Sequence, residues 1–498
     1  LKLVASKPAL LRVYATATTA GLSTQVRATF SSGGNPLGTV TLDGPATVPT
    51  SVNQADLTQS YRTVLPANWV KPGLQVKLEV DPNNTVGESD EANNVSNITP
   101  TVGAGTVLYV TVVPIQQNGL TGVVPAGWDQ MLTKLWPLQS VNIKTRATFL
   151  SSRVLTSGAS TNNDWSELLD DLANLRVNEN SHRYYYGFAK VGYSSGVAGI
   201  GYVGFPVGMG WDYASSAPGV TAHEIGHTFG MLHAPCGATS GLDPQYPANN
   251  GKLDGWGFDV ASLKLYDPSV NYDVMSYCGQ NGKQWVSSYM YNKAQSALEA
   301  DPPQATSVIN GAALSTSDSG AGINERLVIV SGRIRNGAVE LRPLEGFTGR
   351  ASKPRPGVYR LRLETAGGTF ETPFASQSIA HGDISSFTFT VPDHGNVSAI
   401  EIWRDGTRLL RQAAGLRSLS VWTEPELHEQ AGRLELHWDT SAFRSATLAH
   451  VATDGERTVV GLQLERATTL DVRALPAGGR FELTLSDGLN SVQRTFQR

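Results

Sequence analysis

His223-Glu224-Ile225-Gly226-His227-Thr228-Phe229-Gly230-Met231-Leu232-His233 is the stretch from which the rest of this chain can be read. His223 and His227 are four residues apart, so on a helix they share one face, one turn above the other. Two imidazoles so placed can hold a single zinc ion, at about 2.0–2.1 Å each. Glu224 follows the first of them, where its carboxylate can reach a water at the metal rather than the metal itself. Gly230 comes a turn later, where the chain must leave the helix. Glycine takes the left-handed conformation that lets the chain double back and bring His233 to the same ion. Three neutral histidines leave a fourth position open, which is the layout of a catalytic rather than a structural zinc site.

The run H-E-x-x-H-x-x-G-x-x-H resembles the metzincin zinc endopeptidases. That resemblance implies a tight turn with a methionine beneath the zinc, and Asp273-Val274-Met275-Ser276-Tyr277 lies downstream to supply it. By itself Met275 would read as core filler. Tyr277, two residues after the methionine, has the spacing of the astacin and serralysin branches, whose phenol approaches the metal or the transition state. One departure from the pattern stands out. Many branches carry Asp, Ser or Gln at or just after the position following the third histidine, where this chain has Ala234-Pro235, so the branch stays open.

The chain has two cysteines, Cys236 and Cys278, one just past His233 and the other just past Tyr277. In a metzincin both flanks converge near the metal, so the resemblance favours a disulfide between them; two buried free thiols are the alternative. A bridge would place the protein in an oxidising compartment, secreted or at the cell surface. The start at Leu1, without a methionine or a basic-then-apolar leader, reads as a processed or trimmed product.

With 498 residues the chain is too long for one ordinary core. Its net charge of −4 gives no reason to expect nucleic acid or an anionic membrane as partner. No apolar stretch is long enough to span a bilayer. The 51 glycines suit a β-rich extracellular protein with many turns. The expected architecture is multidomain, an α/β metzincin-like catalytic domain flanked by all-β, immunoglobulin-like sandwiches.

Residues 1–104 alternate as strands at 10–15, 24–30 and 75–80. The segment 81–94 resembles a turn of bacterial immunoglobulin-like adhesion modules. Its Asp81, Asn83 and Thr85 also suggest a calcium loop, but Val86 stands where such a loop needs glycine. Residues 105–303 form the expected catalytic domain. A continuous apolar strand at 106–115 is followed by a helix at 129–136 and a strand at 141–149. A second helix at 164–175 and a strand at 183–191 precede the zinc helix at 218–230, and a closing helix covers 284–300. Asp243-Pro244, Tyr246-Pro247 and Asp254-Gly255 read as turn signals in the region between. Asp301-Pro302-Pro303 reads as a linker to a β-sandwich at 304–416 and a second β module at 417–498, whose His428, His437 and His450 lack ligand spacing.

Two motifs point elsewhere. Gly192-Tyr193-Ser194-Ser195-Gly196 matches the serine-hydrolase elbow, and Gly199-Ile200-Gly201-Tyr202-Val203-Gly204 matches a dinucleotide-binding fingerprint. Neither is followed by the helix its chemistry needs. Residues 197–204 read better as an edge strand above the zinc, its small residues leaving room for an extended substrate. The resemblance thus implies a monomeric, secreted endopeptidase acting on proteins or glycoproteins, with zinc on His223, His227 and His233 and Glu224 as base. The alternative is an adhesin or glycan-binding surface protein with a protease-like scaffold, suggested by the number of β modules; an intact Glu224 argues against it.

Overall fold

The computed structural model describes residues 2–155, 162–193, 196–238, 240–305, 325–352, 354–380, 384–415 and 422–498. Ser194 of the elbow motif lies outside them. The described chain is mostly β, with four α-helices: α1 (Leu132–Leu135), α2 (Asn162–Asn178), α3 (Ala217–Thr228) and α4 (Ser288–Ala300). It divides into two compact units. One contains Leu1–Leu108, Asp129–Asn142 and Met231–Pro303; the other contains Tyr109–Trp128, Ile143–Gly230 and Gln304–Arg498.

In the first unit, Val26–Ser32 pairs antiparallel with Asn35–Thr41 on one side and Leu74–Val80 on the other. Val26, Ala28 and Phe30 alternate inward and meet Leu74, Val76 and Leu78 in one core, the period-2 pattern of a half-buried sheet. The segment after Asp81 is a turn: the Asp81 carboxylate accepts hydrogen bonds from Thr85 Oγ1 at 2.8 Å and the Val86 amide at 2.7 Å. Nearer the motif, two short pairs form, Gly257–Asp259 with Lys264–Tyr266 and Tyr272–Asp273 with Gln284–Trp285. Ser287 caps α4 through the Met290 amide, and Met290, Ala294 and Leu298 bury one face of that helix. The expected helix at 129–136 is only the single turn α1, with no side-chain cap.

The second unit is built on a long sheet. In chain order the strands of its main row are β1 (Thr106–Gln117), β2 (Phe149–Leu150), β3 (Tyr184–Ala189), β4 (Gly199–Gly201), β5 (Val207–Trp211), β6 (Ser445–Val451), β7 (Arg457–Leu464), β8 (Arg480–Ser486) and β9 (Ser491–Gln497). Their spatial order is β4-β5-β3-β1-β2-β7-β6-β8-β9. β3 runs parallel to β1 and β5, while β4 is antiparallel to β5 and ends the row. The strands around residues 450–490 therefore continue the sheet that carries β1, through Leu150 beside Gly461. Leu168, Leu169, Leu172 and Leu175 of α2 pack on Val113, Ile115 and Met209 in a single core. Arg333, on the strand Glu325–Arg335, meets Asp170 of α2, and Arg342 meets Asp171 at 2.6 Å. Glu325–Arg335 and Ile384–Pro392 form one sheet, Tyr359–Thr365 and Val397–Arg404 another. The two share a core that includes Val330, Phe387, Leu361 and Ile400.

Candidate metal centre

Pro218 lies in the first turn of α3, where its missing amide costs nothing. His223 and His227 then fall on one face, with their Nε2 atoms 3.2 Å apart. Two zinc ligands at about 2.0–2.1 Å in tetrahedral geometry require nearly that separation. Gly230 has φ +90° and open space around it, so backbone conformation alone selects glycine there. Its amide bonds the His227 carbonyl at 2.8 Å as the helix ends. Within this eleven-residue stretch, one ligand nitrogen from each of His223, His227 and His233 lies within 4.8 Å of the others. It is the one group of three or more metal-ligating side chains among the described residues.

Glu224 is 4% exposed, and its Oε2 has no hydrogen-bond partner. Burial pushes its carboxyl well above the usual carboxylate range. A buried carboxylate oxygen with nothing to accept from is costly to keep. One placed beside two converging imidazoles suits a donor held at the metal. The donor set and this orphaned oxygen both fit zinc with a bound water.

β4 lies against α3 at Glu224. A Cβ on Gly201 would stand 2.8 Å from the Glu224 carbonyl oxygen, and one on Gly199 would stand 2.8 Å from Glu224 Cγ. The spacing that mimics a dinucleotide fingerprint thus serves strand-to-helix packing. This corrects the sequence expectation: the small residues make room for the helix. β4 is an edge strand as expected, but its continuation is covered, because the Val203 amide donates to the Ser378 carbonyl at 2.9 Å.

His233 is fully buried. Its Nδ1 lies 2.9 Å from the Ser240 carbonyl oxygen, which fixes the ring as an outer partner fixes a metal-binding imidazole. Burial holds this imidazole below its ordinary pKa, the neutral form a ligand needs. The His233 amide donates to Gly241, and the Asp243 amide donates back to the His233 carbonyl, both at 2.8 Å. The methionine turn is tied to the same segment: the Ala234 amide donates to Met275 at 3.0 Å and the Tyr277 amide to Cys236 at 2.9 Å. Tyr277 stands edge-on to His233, with ring centroids 4.9 Å apart. Cys236 and Cys278 form a disulfide, their Cα atoms 5.7 Å apart. Asp273 is buried and accepts the amides of Met275 and Ser287, both at 2.7 Å. Burial outweighs those bonds and pushes its carboxyl up to about 6.

Asp243 was legible in the sequence only as half of a turn signal. Its carboxylate accepts from Lys293 Nζ at 2.6 Å and Tyr289 Oη at 3.0 Å. Burial opposes the charge, yet these bonds and the Gln245 amide hold its pKa below the ordinary value. It thereby pins the backbone of His233 to α4. We expect Asp243→Ala to weaken zinc binding by about 10–100-fold, the usual effect of removing an outer support of a ligand. Competition with a chelator measures this, and an unchanged affinity would refute the positioning role.

Residues 180–310, about a quarter of the chain, match the family described as Peptidase M66. The match runs from just before β3 to just past α4 and supports a metallopeptidase. No curated protein matches the sequence. Among solved structures, a similar chain is described as "Structure of a chaperone-substrate complex". It is 12% identical, with 47% of this chain and 38% of that one covered and a TM-score of 0.23. This chain spans well under half of that chain's length, and a likeness at that score carries no argument.

Proposed function

We propose that the protein is a secreted, zinc-dependent endopeptidase of metzincin type acting on proteins, glycoproteins among them. The observation that carries the reading is the buried, unpartnered Oε2 of Glu224 beside a group of three histidine nitrogens. His223, His227 and His233 would hold the ion. When bound, zinc supplies Lewis-acid polarisation of the scissile carbonyl and lowers the pKa of its water toward about 7. Glu224 takes the proton of the attacking water and delivers it to the leaving amine. Burial raises its pKa, which favours its keeping the proton between the two halves of that transfer. β4 offers backbone groups for an extended substrate over Gly199–Gly201, a short edge because Ser378 covers the next residues.

Tyr277 is 36% exposed next to His233, where its hydroxyl can donate to the oxygen that gains charge during attack. Tyr277→Phe is expected to lower kcat by about tenfold to a hundredfold with little change in KM, as loss of a transition-state donor does. A kcat equal to wild type would remove that role.

The disulfide is consistent with an oxidising compartment, and no described helix is long and apolar enough to cross a membrane. The reading is tested by cleavage of casein and of an O-glycosylated mucin by the zinc-loaded chain, before and after removal of zinc with a chelator. Cleavage lost on chelation and restored by zinc is the expected result. If the zinc-loaded chain cleaves neither substrate, the proposal fails in favour of a binding protein.

A further inference from the structure

The edge that passes over Glu224 is open only along part of its length. β4 ends at Gly201, and the chain continues through Tyr202 and Val203 to Gly204. Gln377–Ile379 of the β-sandwich lies against that continuation. Tyr202 and Ile379 pair antiparallel, and the Val203 amide donates to the Ser378 carbonyl at 2.9 Å. On its other side the same segment belongs to the sandwich sheet, with Gln377 beside Ser386 and Ser378 beside Ser385.

The segment is held firmly. Ile379 is buried in one core with Ile200, Tyr202 and the leucines of α2. Asp170 of α2 ties the two parts together, since it bonds both the Tyr202 hydroxyl and Arg333 of the sandwich. Arg355 closes the end of the row, its Nη1 donating to the Gly204 carbonyl at 2.8 Å. Paired on both edges and anchored in the core, Gln377–Ile379 is a fixed wall.

Its direction matters. Ser378 stands opposite Val203 and Ile379 opposite Tyr202, so the segment runs antiparallel to the strand it covers. An extended substrate that adds to Gly199–Gly201 in the same sense lies along the same line. Its amino-terminal residues would then fall where Gln377–Ile379 already stand. β4 is three residues long, so about three substrate residues can lie opposite it before the wall. Side chains alternate along a strand. Ile379 faces α2, so Ser378 faces the other side of the sheet, where Gly199 and Gly201 meet Glu224 of α3, and it is exposed there.

We infer that Gln377–Ile379 ends the cleft on the amino-terminal side of the scissile bond, and that Ser378 is a specificity-determining residue that meets the substrate there. The enzyme thus selects by reach. No more than about three residues before the scissile bond are held in extended form, and a longer chain must bend away from the sheet. The inference rests on the peptidase reading above, with β4 as the edge that takes the substrate.

The test begins by mapping cleavage sites in casein with the zinc-loaded full chain. Peptides spanning one site, capped at both ends, are then lengthened one residue at a time before the scissile bond. kcat/KM is expected to rise over about the first three residues and to change by less than about threefold from there to the sixth. A gain of about threefold or more beyond the third residue would overturn the inference. A charge placed on the wall gives a second measurement, and Ser378 is exposed, so the fold tolerates it. The peptide for this arm has its free amino terminus three residues before the bond, and its acetylated form is the control. Ser378→Glu should raise the ratio of their kcat/KM values about two- to fivefold, and Ser378→Lys should lower it by as much, the scale of an exposed ion pair. Equal ratios in wild type and both variants would overturn the inference as well. Absence of casein cleavage would remove the peptidase reading and the inference with it, whereas zinc-dependent cleavage with a steadily rising series would remove the inference alone.

Discussion

Glu224→Ala is expected to retain zinc at wild-type stoichiometry while losing a factor of about 10²–10⁴ in turnover. The argument starts from burial. Glu224 is nearly fully enclosed between α3 and β4, with Gly199 and Gly201 packed against it. None of the three histidine nitrogens is supplied by it, so its removal leaves the ligand set intact. What disappears is the acceptor proposed to take a proton from the attacking water. In the zinc-free chain, removing the carboxylate also relieves a buried oxygen that has no partner, so stability there should hold or rise slightly. Zinc content and caseinolysis measured on the same sample separate the two effects. A zinc-loaded Glu224→Ala chain that still cleaves would end the mechanism proposed here.

Replacing both cysteines, Cys236→Ala with Cys278→Ala, should cost about 3–4 kcal/mol of stability. The bridge spans 42 residues, and opening a loop of that length returns chain entropy to the unfolded state. The loss has a local consequence as well. Cys236 stands three residues beyond His233, and Cys278 directly follows Tyr277, whose amide bonds the Cys236 carbonyl at 2.9 Å. The double variant should therefore loosen His233 and bind zinc more weakly, in addition to unfolding at lower denaturant. Urea titration with and without zinc measures both. A midpoint equal to wild type would show that the bridge adds nothing to the backbone bonds around it.

Asp243 and Asp273 illustrate a different kind of support. Each is a buried carboxylate that gathers hydrogen-bond donors from α4 or its cap: Lys293 and Tyr289 for Asp243, the Ser287 amide for Asp273. Asp243 adds a backbone bond to His233, and Asp273 holds the turn that carries Met275. Ala234-Pro235 offers no acid after the third histidine, and Asp243 is placed to hold that segment instead.

The spacing of the histidines was readable from the sequence because helix geometry is local. His223, Glu224 and His227 are related by one turn, and Gly230 is required by its own backbone angle, so neither depends on distant residues. The strands Val26–Ser32 and Leu74–Val80 were legible for the same reason, since one buried face imposes a period of two. Tertiary structure alone decided the rest. Gly199 and Gly201 read in the sequence as room for an extended substrate, and only the approach of α3 shows why a Cβ is excluded there. Asp243 finds its partners about fifty residues away, and Arg333 finds Asp170 across more than a hundred and fifty, separations that no local pattern encodes.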